Sequence, residues 1–219
     1  MRTAWKWVRR LLKLCFFVGI ICAALLFGAV GVIYFFGVEH NLFGLPDVNG
    51  LRDLKPLEAS FVYDANDKVI GCYAKEYRIV LLQEEVPLLL KLAIIASEDQ
   101  KFYEWYNAIG IDPIAIIRAE FANWEAGRIV QGGSTLHQQV AKNWLLTPER
   151  TFERKIKEAA LAIRMARRFS KDQIMTLYIN TAYLGRGRYG FEAASKAYFG
   201  KSVKDLKAEE AAYLVGLIN

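Results

Sequence analysis

Three segments of the chain carry side chains of the kind that do chemistry. Ser97-Glu98-Asp99-Gln100-Lys101-Phe102-Tyr103-Glu104 sets two adjacent carboxylates at the end of an apolar run. A carboxylate at such a junction is partly desolvated, which raises its pKa toward that of a working base. A solvated helix end has the same composition. In Gly132-Gly133-Ser134-Thr135-Leu136-His137-Gln138-Gln139-Val140-Ala141-Lys142-Asn143, the glycines permit close backbone approach. The hydroxyl and amide groups beside them suit polyol or phosphate oxygens. From Arg150 to Arg168 the cations Arg150, Arg154, Lys155, Lys157, Arg164, Arg167 and Arg168 surround Glu158. Helical spacing puts Arg154 on the face of Glu158, and Arg150 on that of Arg154. A carboxylate among cations keeps a low pKa and can hold a metal or orient a cation, and the cations suit a diphosphate. A solvated face with ion pairs would look alike. His40 and His137 are too distant in sequence to suggest a metal pair and read as structural.

The elements that must position these groups are mainly helical. Pro87 suits a first helical turn ahead of the apolar run Leu88 to Ala96. Asp112-Pro113 supplies an N-cap and a proline at the first helical position, and Gly127 ends that segment. Thr147-Pro148 repeats the device before a long helix reaching about Arg168, and Ser170 with Gln173 forms a capping box for the next. Upstream, Ser60 to Leu82 alternates around a polar break at Asp64-Ala65-Asn66-Asp67, which predicts a small hairpin. His40 to Pro56, rich in Gly, Asn, Asp and Pro, reads as linker.

The chain has 219 residues, 54% of them apolar, and a net charge of +6. That apolar content excludes a disordered tail, and three scattered cysteines exclude a disulfide-stapled scaffold. The basicity is local. Arg2, Lys6, Arg9, Arg10 and Lys13 precede any acid, and removing those five leaves 24 basic against 23 acidic residues. Leu14 to Val38 then runs 25 positions without a charge, whereas about 20 helical residues suffice for a hydrocarbon core of about 30 Å. A signal peptide has an apolar region of only about 7–15 residues, so the segment reads as an uncleaved anchor. Cations before it and none just after predict a cytoplasmic N-terminus, with residues 39–219 outside. Cys15 and Cys22 then lie in lipid, and Cys72 is a free thiol outside.

The order Glu98-Asp99-x-x-Phe102, then Gly132-Gly133-Ser134-Thr135-x-x-Gln138-Gln139-x-x-Lys142-Asn143, then Arg154-Lys155-x-x-Glu158, resembles the peptidoglycan glycosyltransferases of glycosyltransferase family 51. Ser170 to Ile174, Leu177-Tyr178-Ile179-Asn180 and Tyr183-Leu184-Gly185 resemble the family's fourth motif. Ala193-Ala194, Tyr198-Phe199-Gly200-Lys201 and Glu209-Glu210-Ala211-Ala212 resemble the fifth. Leu45-Pro46 to Pro87 resembles the region before this domain in class A penicillin-binding proteins. No Ser-x-x-Lys occurs in the chain, hence no penicillin-binding serine centre.

The resemblance implies a mainly α, lysozyme-like, two-lobed glycosyltransferase domain over 87–219. A cytoplasmic tail (1–13), a transmembrane anchor (14–38) and a linker with hairpin (39–86) would precede it. It implies polymerisation of lipid II into β-1,4 glycan strands on the outer face of a bacterial cytoplasmic membrane, by inversion, with release of undecaprenyl diphosphate. Glu98 would be the base. Glu158 would stand near the donor diphosphate, helped by a divalent cation (Mg or Mn) or by Arg154 and Lys155. Ser134, Thr135, Gln138, Lys142 and Asn143 would line the donor side, Asp99 would bind substrate, and Asn180 would support the cleft. The implied partners are lipid II, the growing glycan, the membrane and other cell-wall synthesis proteins, with no organic cofactor and no nucleic acid. Ile114 to Trp124 is read either as a face resting in the membrane interface or as ordinary helix core.

Three departures stand out. Trp105-Tyr106-Asn107-Ala108-Ile109 replaces a shorter stretch that usually holds a histidine, His137 sits where threonine is commoner, and Ala166 replaces a frequent acid. A lysozyme-like glycan hydrolase shares the acid–base logic, and an inactive assembly scaffold is the non-enzyme reading. The cations around Glu158 favour a diphosphate leaving group, and retention of Glu98, Lys142 and Glu158 favours activity. The closing run Leu214-Val215-Gly216-Leu217-Ile218 leaves an apolar helix end without cover, so the glycosyltransferase domain is expected to continue beyond it. The charge asymmetry makes a topological prediction. A reporter fused after Asn219 will be active only outside the cytoplasm, and cytoplasmic activity would overturn the orientation.

Overall fold

The computed structural model describes residues 2–32, 44–52, 59–74, 76–104, 108–147, 149 and 151–218. These fall into two compact units, Met1–Leu45 and Pro46–Asn219. In the first, helix α1 (Arg2–Val32) runs 31 residues and exposes large apolar side chains, among them Phe16, Phe17, Leu25 and Phe27. Among the described residues no helix is long and apolar enough to cross a membrane. The expected span 14–38 includes residues 33–38 and the Cys15 side chain, which lie outside the described set, as do His40 and, in the expected linker, residues 39–43, 53–58 and 75.

The second unit begins with the expected hairpin. Strand β1 (Ser60–Tyr63) pairs antiparallel with β2 (Val69–Tyr73), Phe61 opposite Cys72. Asp64 Oδ1 accepts from the backbone N–H groups of Asn66 at 2.8 Å and Lys68 at 2.9 Å, and Asp67 turns the chain at φ 59°. An aspartate that bonds its own turn and tolerates left-handed backbone explains why the polar break folds here. Two short strands, β3 (Tyr77–Arg78) and β4 (Arg188–Tyr189), pair in parallel.

The rest is helical: α2 (Leu88–Glu98), α3 (Pro113–Ala126), α4 (Leu136–Leu145), α5 (Phe152–Arg168), α6 (Lys171–Thr181), α7 (Phe191–Phe199) and α8 (Ala208–Val215). Helix α4 packs against α5 and α6, and α2 against α8. The core follows helical spacing. Leu136, Val140 and Ala141 on α4 meet Leu161, Ala162 and Met165 on α5, with Ile174, Met175, Tyr178 and Ile179 on α6.

Most helix ends obey the sequence signals. Asp112 accepts from Ala115 N–H ahead of Pro113, Gly127 closes α3 at φ 61°, and Ser170 with Gln173 boxes α6. Helix α5 departs from expectation. It starts at Phe152, capped by Thr151, whose hydroxyl accepts from Arg154 N–H at 3.1 Å. Thr147 stands four residues upstream of the observed cap, just after Leu146, which ends α4 in an extended conformation (φ −125°, ψ 159°). Pro148 and Arg150 lie outside the described residues.

Two glycines with left-handed backbone differ in what surrounds them. At Gly110 (φ +83°) a Cβ would lie 2.4 Å from the Ala162 carbonyl oxygen, whereas at Gly127 (φ +61°) it would meet nothing within 4 Å. Left-handed backbone alone costs about 1–2 kcal/mol for a residue with a Cβ. Gly127→Ala should lose about that in chemical denaturation. Gly110→Ala, which also drives the loop off α5, should lose more than about 3 kcal/mol. Equal losses would show that the contact with α5 does not hold the loop.

Candidate active site

Glu98 is the last residue of α2, half-buried where the helix gives way to a loop. Its Oε2 accepts from Gln139 Nε2 of α4 at 2.9 Å. On one side it shares a cleft of about 320 Å³ with Ser134, Gln138, Lys142, Lys155 and Glu158. On the other side a second cleft, about 300 Å³, brings Asp99, Asp112, Arg118, Ser134 and Thr135 around it. The carboxylate therefore borders two hollows that adjoin at Ser97, Gly132 and Ser134.

The loop after Glu98 is clamped by the first turn of α6. Lys171 Nζ donates to the carbonyls of Phe102 and Glu104, and Tyr103 Oη donates to Asp172 Oδ1 at 2.8 Å. Lys91 adds an ion pair to Asp172 at 3.0 Å. The hydrogen bonds from Lys91 and Tyr103 hold the Asp172 carboxyl below its usual range. Phe102 is wholly buried beneath this clamp. Of the unusual stretch 105–109, residues 105–107 lie outside the described set.

The glycine-rich segment behaves as its composition implies. A Cβ on Gly133 would sit 2.8 Å from Ile116 Cα, so only glycine lets this strand of loop press on α3. Thr135 caps α4. Its Oγ1 accepts from Gln138 N–H at 3.3 Å and donates to the Gly110 carbonyl at 2.7 Å, while Gln138 Oε1 accepts from Thr135 N–H at 3.0 Å. Asp99 Oδ2 accepts from Leu136 N–H at 3.2 Å. Thr135, Gln138 and Asp99 thus line the clefts but have polar atoms engaged in the fold.

Glu158 is 1% exposed. Lys155 Nζ reaches its Oε2 at 2.6 Å, and Arg154 Nε lies 3.4 Å from its Oε1. Lys155 also donates to Ser134 Oγ at 3.1 Å, tying α5 to the glycine-rich loop. Lys142 completes the cationic wall. Burial lowers its pKa, Glu158 opposes that shift, and Lys155 and Arg154 add to it. A divalent ion does not fit this donor set. One carboxylate already matched by two cations offers little to a metal, and among the described residues no trio of His, Cys, Asp or Glu converges.

Two expected site residues are placed away from Glu98. Asn180 is buried, its Oδ1 accepting from Leu81 N–H and its Nδ2 donating to Leu81 O, both at 2.9 Å. This amide takes the place of a strand partner for Leu81, away from the clefts around Glu98. Asn143 is exposed on α4 and faces a separate hollow with Lys142, Tyr178 and Tyr183. Residue reading missed Gln139 as a partner of the carboxylate, although it neighbours Gln138 in the same motif. Arg118, whose guanidinium reaches the second cleft from α3, carried no signal because α3 was read only for its apolar side chains.

The Transglycosylase family matches residues 66–219. Penicillin-binding protein 1A of Aquifex aeolicus is 50% identical over 173 residues, 79% of this chain and 23% of that protein. The protein of the same name from Vibrio cholerae is 41% identical over 212 residues, 97% of this chain and 24% of that protein. The Escherichia coli one is 42% identical over 173 residues, 79% and 20%. The chain spans about a quarter of the length of these curated relatives.

His137, beside the Phe102 ring at 5.5 Å, is 1% exposed, and its Nδ1 has no partner among the described residues. Burial, seconded by the Lys171 ammonium, pulls its pKa from 6.5 down to about 4. An unfolded chain takes up this proton near pH 6.5 and the folded one only near 4, so acid in that window favours unfolding. Stability should fall by up to about 3 kcal/mol between those values. His137→Thr should flatten this part of a denaturation-versus-pH curve, since the contribution of His40 is common to both proteins. An unchanged slope would refute the buried neutral imidazole.

Proposed function

The chain belongs to the transglycosylase family of peptidoglycan glycosyltransferases, and from that premise we propose that it polymerises lipid II into β-1,4 glycan strands. The C4 hydroxyl of one lipid II attacks the anomeric carbon of the growing chain. Glu98 takes the hydroxyl proton, undecaprenyl diphosphate leaves, and the α-linked donor becomes a β linkage by inversion. The observation that carries this reading is the place of Glu98 between two clefts, one of them walled by Lys142, Lys155 and the buried Glu158. A base so placed reaches an acceptor on one side and a donor on the other. Fixed cations stabilise charge as it develops on a departing diphosphate, and Lys142, Lys155 and Arg154 are the groups that do so, with no step assigned to a metal.

The hydrolase reading is less well supported. Two-carboxylate hydrolysis needs a second carboxylate free to act on the sugar or on water, and Glu158 is matched by Lys155 and Arg154. A scaffold role gives no reason for a half-buried carboxylate held by Gln139 at the junction of two clefts.

The lysozyme-like two-lobed architecture, the transmembrane anchor and the external catalytic domain are parts of the same proposal. The charge-free run from Leu14 and the basic residues before it support the anchor. Helix α3 exposes Ile114, Ile117, Phe121 and Trp124, with Ala119 its buried residue. Their exposure supports the interface reading of that face over ordinary helix core. An apolar stripe beside the cleft suits a membrane interface, where both substrates keep their lipid tails.

Incubation of the purified chain with labelled lipid II should yield glycan polymer on a gel. Glu98→Gln keeps the side-chain shape and removes the base, so turnover should fall about 10²–10⁴-fold while the melting temperature stays. A folded variant with near-normal polymerisation would overturn the assignment.

A further inference from the structure

Tyr178 lies in the C-terminal half of α6 and is 0% exposed, yet its hydroxyl makes no well-formed hydrogen bond among the described residues. A buried phenol normally finds an acceptor, and leaving one unsatisfied costs about 1–3 kcal/mol. The ring borders a hollow with Gln139 and Lys142 of α4, and Gln139 is the residue that donates to Glu98 Oε2. We infer that Tyr178 is a positioning residue for Glu98, its Oη–H donating to the carboxylate alongside Gln139 when the acceptor hydroxyl is engaged. This rests on the reading of Glu98 as the base.

Three observations converge on the contact. The buried hydroxyl makes no well-formed hydrogen bond among the described residues. Burial first, and then the Glu98 charge and hydroxyl contact, hold the Tyr178 phenol above its ordinary pKa, so carboxylate and phenol are neighbours. Helices α4 and α6 pack directly, and Gln139 and Tyr178 line one hollow between them. Two donors on one carboxylate fix its direction and favour its ionised form. Ionised, it is ready to accept a proton. The other charged groups that face Glu98 are Lys142, Lys155 and Glu158 in one cleft, and Lys101, Asp112 and Arg118 in the other, with Asp99 adjoining. None of these changes when Tyr178 alone is altered.

The test reads Glu98 directly. In the full chain, in detergent, glutamate is labelled with 13C at the side-chain carboxyl, and the Glu98 resonance is identified by its loss in Glu98→Gln. In Tyr178→Phe the titration midpoint of Glu98 should rise by about one pH unit. The acid limb of kcat/KM for lipid II polymerisation should move with it. Replacing Tyr178 by 3-fluorotyrosine keeps the hydroxyl and makes it a stronger donor, so the midpoint should fall; this arm decides even where the Phe variant folds poorly. An unmoved midpoint in the fluorinated protein, or a slower Tyr178→Phe enzyme with an unmoved midpoint, overturns the inference. A midpoint that moves in a chain that polymerises no lipid II upholds the contact and removes the reading of Glu98 as base.

Discussion

The first turn of α4 holds the site together. Its open N–H groups are met from three directions: by Thr135 in its own cap, by Gln138 folding back, and by the Asp99 carboxylate on Leu136. The same Thr135 hydroxyl fixes the Gly110 carbonyl at 2.7 Å, and four residues on, Gln139 holds Glu98. A helix start with unsatisfied donors in the core is unstable. Satisfying this one obliges the end of α2, the loop into α3 and the glycine-rich segment to meet at a single point. The two clefts on either side of Glu98 are the space left over.

The buried Glu158 is the second constraint. Removing a carboxylate from water is costly unless cations and hydrogen bonds compensate, and Lys155 and Arg154 provide that on the same helix. The arrangement has a use beyond stability. Lys155 is held by both Glu158 and Ser134, so its ammonium points at the cleft in a set direction. Preorganised charge needs no rearrangement during a reaction, and Glu158 acts here by orienting a cation.

Polar and apolar surfaces divide the labour. The clefts carry charges, amides and hydroxyls, while α3, whose N-terminal half borders one of them, presents isoleucines, Phe121 and Trp124 outward. On the proposed reading, substrates with a polar head and a long lipid tail would meet both surfaces on this one helix.

Much of this was legible in the chain itself. Local chemistry determined the hairpin turn at Asp64, the caps at Asp112 and Ser170, the glycine stop at Gly127 and the helical pairing of Arg154 with Glu158, because each depends on residues a few positions apart. The order of the motifs marked the family for the same reason. The start of α5 misled: Thr147 and Thr151 are both capping residues, and only the extended backbone after α4 decides between them. Asn180 was harder to place. Its polar amide resembles a ligand group, but its partner Leu81 is ninety-nine residues away, and no spacing rule reaches that far. Gln139 on Glu98 and Gly110 against α5 are likewise contacts between distant segments. The sequence determined which helices form and which groups could do chemistry. Packing of α4 on α5 and α6 decided which of those groups face a common cleft and which are consumed in holding it open, since burial and long-range hydrogen bonding exist only once the helices meet.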